Sequence, residues 1–213
     1  MKAQSQTRLL LQGTAGALEI VVNEPSPPLA RLALVAHPHP LYGGTLDNKV
    51  VQTLAKAFYA LGYVVVRMNF RGVGASEGEH DRGVGETQDW LLVLEQMRER
   101  YGKLPLALAG FSFGAFVQSR VAKHLAEQGQ APLCMVLVAP AVGRFAVEPV
   151  AVDTLVVHGD EDDVVVLSDV LAWARPQQLP VTVLPGTGHF FHGYLTTLQD
   201  VVTRFGASLE TKG

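Results

Sequence analysis

A serine stands between two glycines in the stretch LALAGFSFGAF, residues 106–116. Gly110, Ser112 and Gly114 match the pattern G-x-S-x-G, in which a serine on a sharp turn acts as a nucleophile. An apolar, strand-like run precedes the pattern, and the helical pattern AFVQSRVAKHLAE follows it. Small glycines leave room for such a turn, which pushes the serine out over the end of a sheet. A glycine-rich helix start that Ser112 merely caps is the alternative, and the strand–turn–helix frame favours the nucleophile.

A serine hydroxyl becomes a good nucleophile only when a base takes its proton and a third group holds that base. Downstream of Ser112, the segment HGDEDDVV ends one strand-like run, and GTGHFFHG with His189 ends the next. The order serine, acid, histidine is the one expected for this kind of turn. Asp160, Asp162 and Asp163 all remain candidates for the acid, because aspartates also build turns by accepting backbone N–H bonds. The sequence therefore predicts a serine hydrolase with His189 as the base.

Acyl transfer also needs N–H donors for the negatively charged oxygen of the intermediate. One donor is expected to be the backbone N–H of Phe113, directly after the serine. The other should come from the loop HPHPLYGGTLDNKV that follows the run RLALVA. Prolines in this loop have no N–H, so His39 and Leu41 remain, and we favour His39.

Two other chemistries have partial support in the sequence. The HPH segment offers two histidines that, with an aspartate at a strand end, would suit a metal hydrolase. No H-x-E-x-x-H or H-x-H-x-D-H cluster is present, so we predict neither a metal nor a cofactor. The segment RGVGASEG imitates a dinucleotide-binding loop, but its glycines follow G-x-G-x-x-x-G and no strand-end acid follows about 20 residues on. We interpret it as a structural turn.

The elements that must position these residues alternate along the chain. Short apolar runs, aliphatic on both faces, are typical of strands in a parallel sheet that is covered on both sides. The pattern predicts an α/β fold, a three-layer sandwich with a mostly parallel, doubly wound sheet of about eight strands, in one domain over residues 1–213. RLLLQG and ALEIVV are expected to open it as an antiparallel pair. Helices are predicted at 47–61, 83–101, 115–128, 167–175 and 191–209.

Composition excludes several classes of partner. A net charge of −3 over 213 residues gives no basic surface for nucleic acid and no lysine-rich anchor for a membrane. Apolar runs fall far short of the roughly 20 residues that span a bilayer, and the first residues lack the apolar centre of a signal peptide. We expect a cytoplasmic protein. The single cysteine, Cys134, stands in the apolar run LCMVLVA and is expected to be buried and inert.

With these residues identified, the sequence resembles the α/β-hydrolase superfamily, and within it the small, lidless bacterial serine hydrolases that are similar in size to dienelactone hydrolases. The resemblance implies Ser112 as nucleophile, Asp162 as acid and His189 as base. Asp160, next to His158–Gly159, would then tie down its turn, and Asp163 would face solvent or cap a helix. The resemblance rests on five segments in this order: HPHPLYGGTLDNKVV, NFRGVGASEGEHDRGVGE, GFSFGA, HGDEDDVV and GTGHFFHG.

Cap domains in this superfamily are usually inserted between two particular strands. Here that segment is PAVGRFAVEPVAVD, which is too short to hold one. An open, shallow site without a cap follows. Apolar side chains are expected to line it and bind substrate, namely Leu41, Tyr42, Phe145 and Phe190.

The resulting functional prediction is a carboxylesterase that cleaves short-chain esters of small molecules through an acyl-enzyme. A peptidase or a thioesterase would use the same three residues. A catalytically idle binding protein on a hydrolase fold is the alternative from another class, because fold does not imply function.

Overall fold

One sheet of eight strands runs through the protein, whose computed structural model describes residues 5–27 and 30–210. The strands lie in the order β1-β2-β4-β3-β5-β6-β7-β8. β1 and β2 are antiparallel to each other, β2 is antiparallel to β4, and the remaining neighbours are parallel. The strands are β1 Ser5–Gly13, β2 Gly16–Glu24, β3 Arg31–Ala36, β4 Tyr63–Met68, β5 Leu106–Phe111, β6 Cys134–Val138, β7 Leu155–Gly159 and β8 Val181–Leu184.

Helices cover both faces of this sheet. Successive residues of a strand point to opposite faces, and in β3 Leu32 and Leu34 belong to one buried cluster while Ala33 and Val35 belong to the other. The first cluster includes α2, α3 and α4, and the second includes α1 and α5. No helix among the described residues is both long and apolar enough to cross a membrane. The helices are α1 Lys49–Ala60, α2 Val84–Tyr101, α3 Phe113–Glu127, α4 Leu167–Ala174 and α5 Leu195–Glu210.

The predicted three-layer α/β sandwich without a cap domain is confirmed, including the opening antiparallel pair. The last helix begins at Leu195 and not at residue 191, because a hydrogen-bonded turn precedes it. Phe191 has a φ of 54° there, and Tyr194 donates its N–H to the carbonyl of Phe191. The proposed single domain spans 1–213, of which residues 1–4, 28–29 and 211–213 lie outside the described residues.

The glycine-rich segment after β4 is held in place by a buried ion pair and by a hydrogen bond to a buried carboxylate. Arg71 donates from Nε and Nη2 to the two carboxylate oxygens of Asp89 in α2, each at 2.8 Å. A few residues on, the N–H of Ala75 donates to the buried carboxylate of Glu19 in β2. These contacts agree with the prediction of a structural turn, because polar groups of the loop are bonded to neighbouring residues of the protein.

His37, the first histidine of HPH, is a structural residue. Its ring is buried, and Nε2 accepts the N–H of Phe70 at 2.9 Å while Nδ1 lies 2.6 Å from the carbonyl of Pro38. Because the first bond requires an acceptor, the proton lies on Nδ1 and the ring is neutral. Burial lowers the pKa of His37 to about 3. The ring thereby joins the end of β3 to the residues after β4.

Because His37 is buried and neutral, we expect acid to lower the stability of the folded protein. In the unfolded chain His37 takes up a proton below its usual pKa of 6.5, whereas in the folded protein it stays neutral down to about pH 3. The free energy of unfolding therefore decreases as the pH falls from 6.5 to about 3. Between pH 7 and pH 5 this group alone should cost about 2 kcal/mol of unfolding free energy.

Chemical denaturation at both pH values of the wild type and of His37→Gln measures this cost. The variant should be less stable at pH 7 but should lose about 2 kcal/mol less on acidification. His124→Gln, at an exposed position of α3, is the control and should keep the wild-type slope. An unchanged slope in His37→Gln would contradict the assignment.

Candidate active site

Ser112 occupies a sharp turn between β5 and α3. Its φ of 55° and ψ of −115° are rare for a residue with a side chain. The flanking glycines are required by space: a Cβ on Gly110 would overlap the backbone of Gly114, and a Cβ on Gly114 would overlap the carbonyl of Ala36 in β3. The turn therefore has the geometry that the G-x-S-x-G pattern predicts.

Two hydrogen bonds join Ser112 to His189 and His189 to Asp162. Nδ1 of His189 lies 2.7 Å from Oδ2 of Asp162, and Nε2 lies 3.2 Å from Oγ of Ser112. An ionised carboxylate only accepts, so Nδ1 carries the proton and Nε2 is free to accept the serine hydroxyl. All three residues are buried. This arrangement can move the serine proton to His189 while the hydroxyl oxygen attacks.

Asp162 is held as a carboxylate by the turn in which it lies. Its Oδ1 accepts the N–H groups of Val164 and Val165 at 2.9 and 2.8 Å, which leaves Oδ2 for His189. Burial alone would raise the pKa of Asp162, but the bonds from His189 and from these two amides outweigh it. The pKa therefore lies below its ordinary value. The carboxylate stays charged and can stabilise a protonated His189.

The two neighbouring acids have other surroundings. Oδ1 of Asp160 accepts the N–H of Gly186 at 2.7 Å, which ties the end of β7 to the loop that carries His189. Asp163 is exposed and accepts no hydrogen bond from the described residues. Only Asp162 among the three contacts His189 in the described part of the chain.

His158 supports the same turn from within the sheet. Its ring is buried, and Nε2 donates to the carbonyl of Val165 at 2.9 Å. Nε2 also lies 3.6 Å from Oδ2 of Asp162, but burial lowers the pKa of His158, so the ring is neutral. His158 thus fixes the backbone that presents Asp162.

The predicted oxyanion donors, Phe113 and His39, face the same cavity as Ser112. The N–H of Phe113 is at the first position of α3, where no helical carbonyl is available to it. In the other loop, the N–H of Leu41 donates to Nδ1 of the His39 ring at 3.2 Å. The N–H of Leu41 is thereby occupied, which leaves the N–H of His39 as the predicted second donor.

Aromatic contacts hold the His39 loop against the Ser112 turn. The His39 ring packs on those of Phe113 and His80, with 4.8 Å between centroids in each pair. Nδ1 of His80 lies 2.8 Å from Oε1 of the buried Glu86, off the axis of a straight hydrogen bond. Burial, with a smaller electrostatic effect of the neighbouring His80, lowers the pKa of His39. The His80–Glu86 pair was not predicted, since nothing in the sequence marks it.

A cavity of about 580 Å³ opens at Ser112 and His189. Of the four predicted substrate-binding residues, Tyr42, Phe145 and Phe190 line it, and Tyr42 is 81% exposed at its rim. Leu41 does not line it and is 69% exposed. Arg144 and Asn48 also line the cavity and were not predicted from the sequence; the signal for Arg144 is its place as the first charged residue after β6. The lining residues are Pro38, His39, Tyr42, Gly43, Gly44, Asn48, Ser112, Phe113, Ala141, Arg144, Phe145, Val164, Val165, His189 and Phe190.

The HPH histidines do not form the metal pair that the sequence left open. Both ring nitrogens of His37 are used in hydrogen bonds, and Nδ1 of His39 accepts the N–H of Leu41. Within residues 5–27 and 30–210 no group of three or more histidine, cysteine or acidic side chains is arranged to hold a metal ion.

Comparison with known proteins identifies the family of this chain. The model of the family described as serine aminopeptidase, S33, matches residues 43–149. Protein RP471 of Rickettsia prowazekii is 33% identical, with 90% of each chain covered.

Two solved bacterial structures are similar over nearly the whole chain. XC6422 of Xanthomonas campestris, an α/β serine hydrolase without lid, is 37% identical with a TM-score of 0.85, covering 95% of this chain and 94% of that one. An α/β serine hydrolase homologue of Coxiella burnetii is also 37% identical, with a TM-score of 0.81 and coverage of 96% and 99%. The chain thus belongs to the α/β serine hydrolase family described as serine aminopeptidase, S33, and is a hydrolase of its lidless bacterial kind.

Proposed function

We propose that this hydrolase is a carboxylesterase that cleaves short-chain esters of small molecules through an acyl-enzyme on Ser112. The observation that carries the proposal is the chain of two hydrogen bonds from Ser112 through His189 to Asp162. The net reaction adds water across the ester, so that one acid and one alcohol leave.

Catalysis proceeds in two half-reactions. As Oγ of Ser112 attacks the ester carbonyl, its proton passes to Nε2 of His189, and the N–H groups of Phe113 and His39 stabilise the oxyanion. His189 then returns the proton to the departing alcohol, and an acyl group stays on Ser112. In the second half, His189 takes a proton from water as the water oxygen attacks the acyl group. The bond between the acyl carbon and Oγ of Ser112 then breaks, the acid leaves, and His189 returns the proton to Oγ. Asp162 keeps its charge throughout and holds the tautomer.

The cavity supports a small acyl group. Its lining is largely apolar, and no cap covers it, since residues 139–154 between β6 and β7 contain neither helix nor strand. Phe190 at its edge is 49% exposed and Tyr42 more so. Methylene groups that extend past this rim stay in water and add little binding energy.

The same three residues would serve a peptidase, and the family description names an aminopeptidase. An aminopeptidase must bind the positively charged amino terminus of its substrate, for which a carboxylate in the site is the usual counter-charge. No aspartate or glutamate lines the cavity of the described chain, whereas Arg144 does. This charge disfavours an aminopeptidase and leaves esters and thioesters as substrates.

The first prediction separates an enzyme from an idle binding protein. A fluorophosphonate probe should label the protein once, on Ser112, because labelling needs an activated serine. Ser112→Ala should abolish labelling without unfolding. Ser208→Ala, at an exposed position of α5, should label like the wild type. Full labelling of Ser112→Ala, read by mass spectrometry, would show that another residue reacts.

The second prediction distinguishes the three acids. Asp162→Asn should lose at least about 10³ in kcat while staying folded, because an amide stabilises the wrong His189 tautomer. Asp163→Asn is the matched control and should stay within about tenfold. Asp160→Asn should lower the unfolding free energy by about 1 kcal/mol through its lost turn bonds. A folded but inactive Asp160→Asn or Asp163→Asn would overturn the choice of Asp162.

The third prediction concerns chain length. With p-nitrophenyl esters, kcat/KM should be highest for acetyl to butyryl groups and should gain little from longer chains, because the open cavity leaves those chains in water. Emulsified substrate should not activate the enzyme, as there is no lid to open. A steady rise in kcat/KM towards dodecanoyl esters would instead indicate an extended acyl channel.

A further inference from the structure

Of the described residues that line the cavity, Arg144 alone is a lysine, arginine, aspartate or glutamate. The sequence Gly143–Arg144–Phe145 follows β6, so the arginine stands at the carboxyl edge of the sheet near Ser112. Its charge acts on the site, since it contributes, after burial and His80, to the lowered pKa of His39. The proposed ester hydrolysis gives this charge no role.

The backbone beside Arg144 is fixed. The N–H of Phe145 donates to the carbonyl of Ala141 at 3.1 Å. The Phe145 ring stacks on Phe116 with 5.0 Å between centroids and packs edge-on against Phe113 at 5.1 Å. Arg144 is therefore attached next to a rigid aromatic wall of the cavity, while its own side chain is exposed.

The guanidinium is free to bind an anion. No carboxylate of the described residues pairs with Arg144, although Arg8, Arg67 and Arg71 are each in ion pairs. An arginine offers a planar pair of N–H donors that match a carboxylate or a phosphate. A positive charge with no protein partner, at the wall of a cavity without acids, favours an anionic ligand.

We propose that Arg144 determines specificity by binding a carboxylate or phosphate group that the substrate carries in addition to its scissile ester. This inference rests on the proposed esterase function and narrows the substrate class to anionic esters. The rest of the substrate contacts the apolar wall formed by Phe145 and Phe113.

Matched ester pairs test the proposal. 4-Acetoxybenzoate and 4-acetoxyphenyl phosphate, each against 4-methylphenyl acetate, place a carboxylate or a phosphate on the alcohol part. The p-nitrophenyl monoester of adipic acid against p-nitrophenyl hexanoate places the charge on the acyl part. The readout is the ratio of kcat/KM for the anionic ester to kcat/KM for its neutral partner, measured in the wild type, in Arg144→Gln and in Arg204→Gln. Arg204→Gln is the control, because it removes the same charge from an exposed position of α5.

In at least one pair the ratio should fall about tenfold or more in Arg144→Gln, mainly through KM, since a charge-assisted hydrogen bond is lost. The ratio should be unchanged in Arg204→Gln. In the wild type the ratio should fall as ionic strength rises from about 0.02 M to about 0.5 M, because salt screens the charge of Arg144. The pair that responds identifies carboxylate or phosphate. A ratio unchanged in Arg144→Gln for all pairs, or lowered equally in Arg204→Gln, would overturn the proposal.

Product binding separates this inference from the esterase function. If no ester is hydrolysed, the proposed function fails, and NMR titration of the wild type and Arg144→Gln with 4-hydroxybenzoate, 4-hydroxyphenyl phosphate and 4-methylphenol still tests Arg144. If Arg144→Gln binds an anionic compound more weakly than the wild type does, but binds 4-methylphenol equally well, the result supports an anion site. Equal binding to both proteins contradicts it.

Discussion

The hydrogen bond between Asp162 and Nδ1 of His189 orients the ring that contacts Ser112. At 2.7 Å it fixes the proton on Nδ1 and turns Nε2 towards Ser112. If Asp162 lost its charge or lay elsewhere, the ring of His189 would be free to turn or to adopt the other tautomer. Asp162 can keep this bond because backbone amides occupy its other oxygen and lower its pKa.

The sheet brings these groups together from distant parts of the chain. Ser112, Asp162 and His189 follow β5, β7 and β8, whose carboxyl ends lie along one edge. Buried histidines set the loops at this edge: His37 joins the ends of β3 and β4, and His158 fixes the backbone after β7. Both rings are buried and neutral, and their hydrogen bonds give them a structural role.

Much of this was readable from the sequence, because it depends on local rules. Two-sided apolar runs predicted the strands, and glycines at 110 and 114 predicted a turn that has space for nothing larger. The start of α5 was misplaced because a turn at Phe191 looks helical by composition. Leu41 was expected in the cavity, yet its N–H is held by the His39 ring and its side chain faces solvent. Arg144 was missed although it is the first charged residue after β6, because its place at the cavity depends on the long-range packing of Phe145 against Phe113 and Phe116, which that position alone does not specify.

The proposed mechanism requires Ser112 to carry the acyl group between the two half-reactions. Rapid mixing of the wild-type protein with p-nitrophenyl acetate, acid quench and peptide mass spectrometry test it most directly. We expect one acetyl group per protein molecule, on Ser112, formed with a burst of p-nitrophenol. Turnover without any acylated Ser112, or with the acetyl group on His39 or His189 alone, would contradict it.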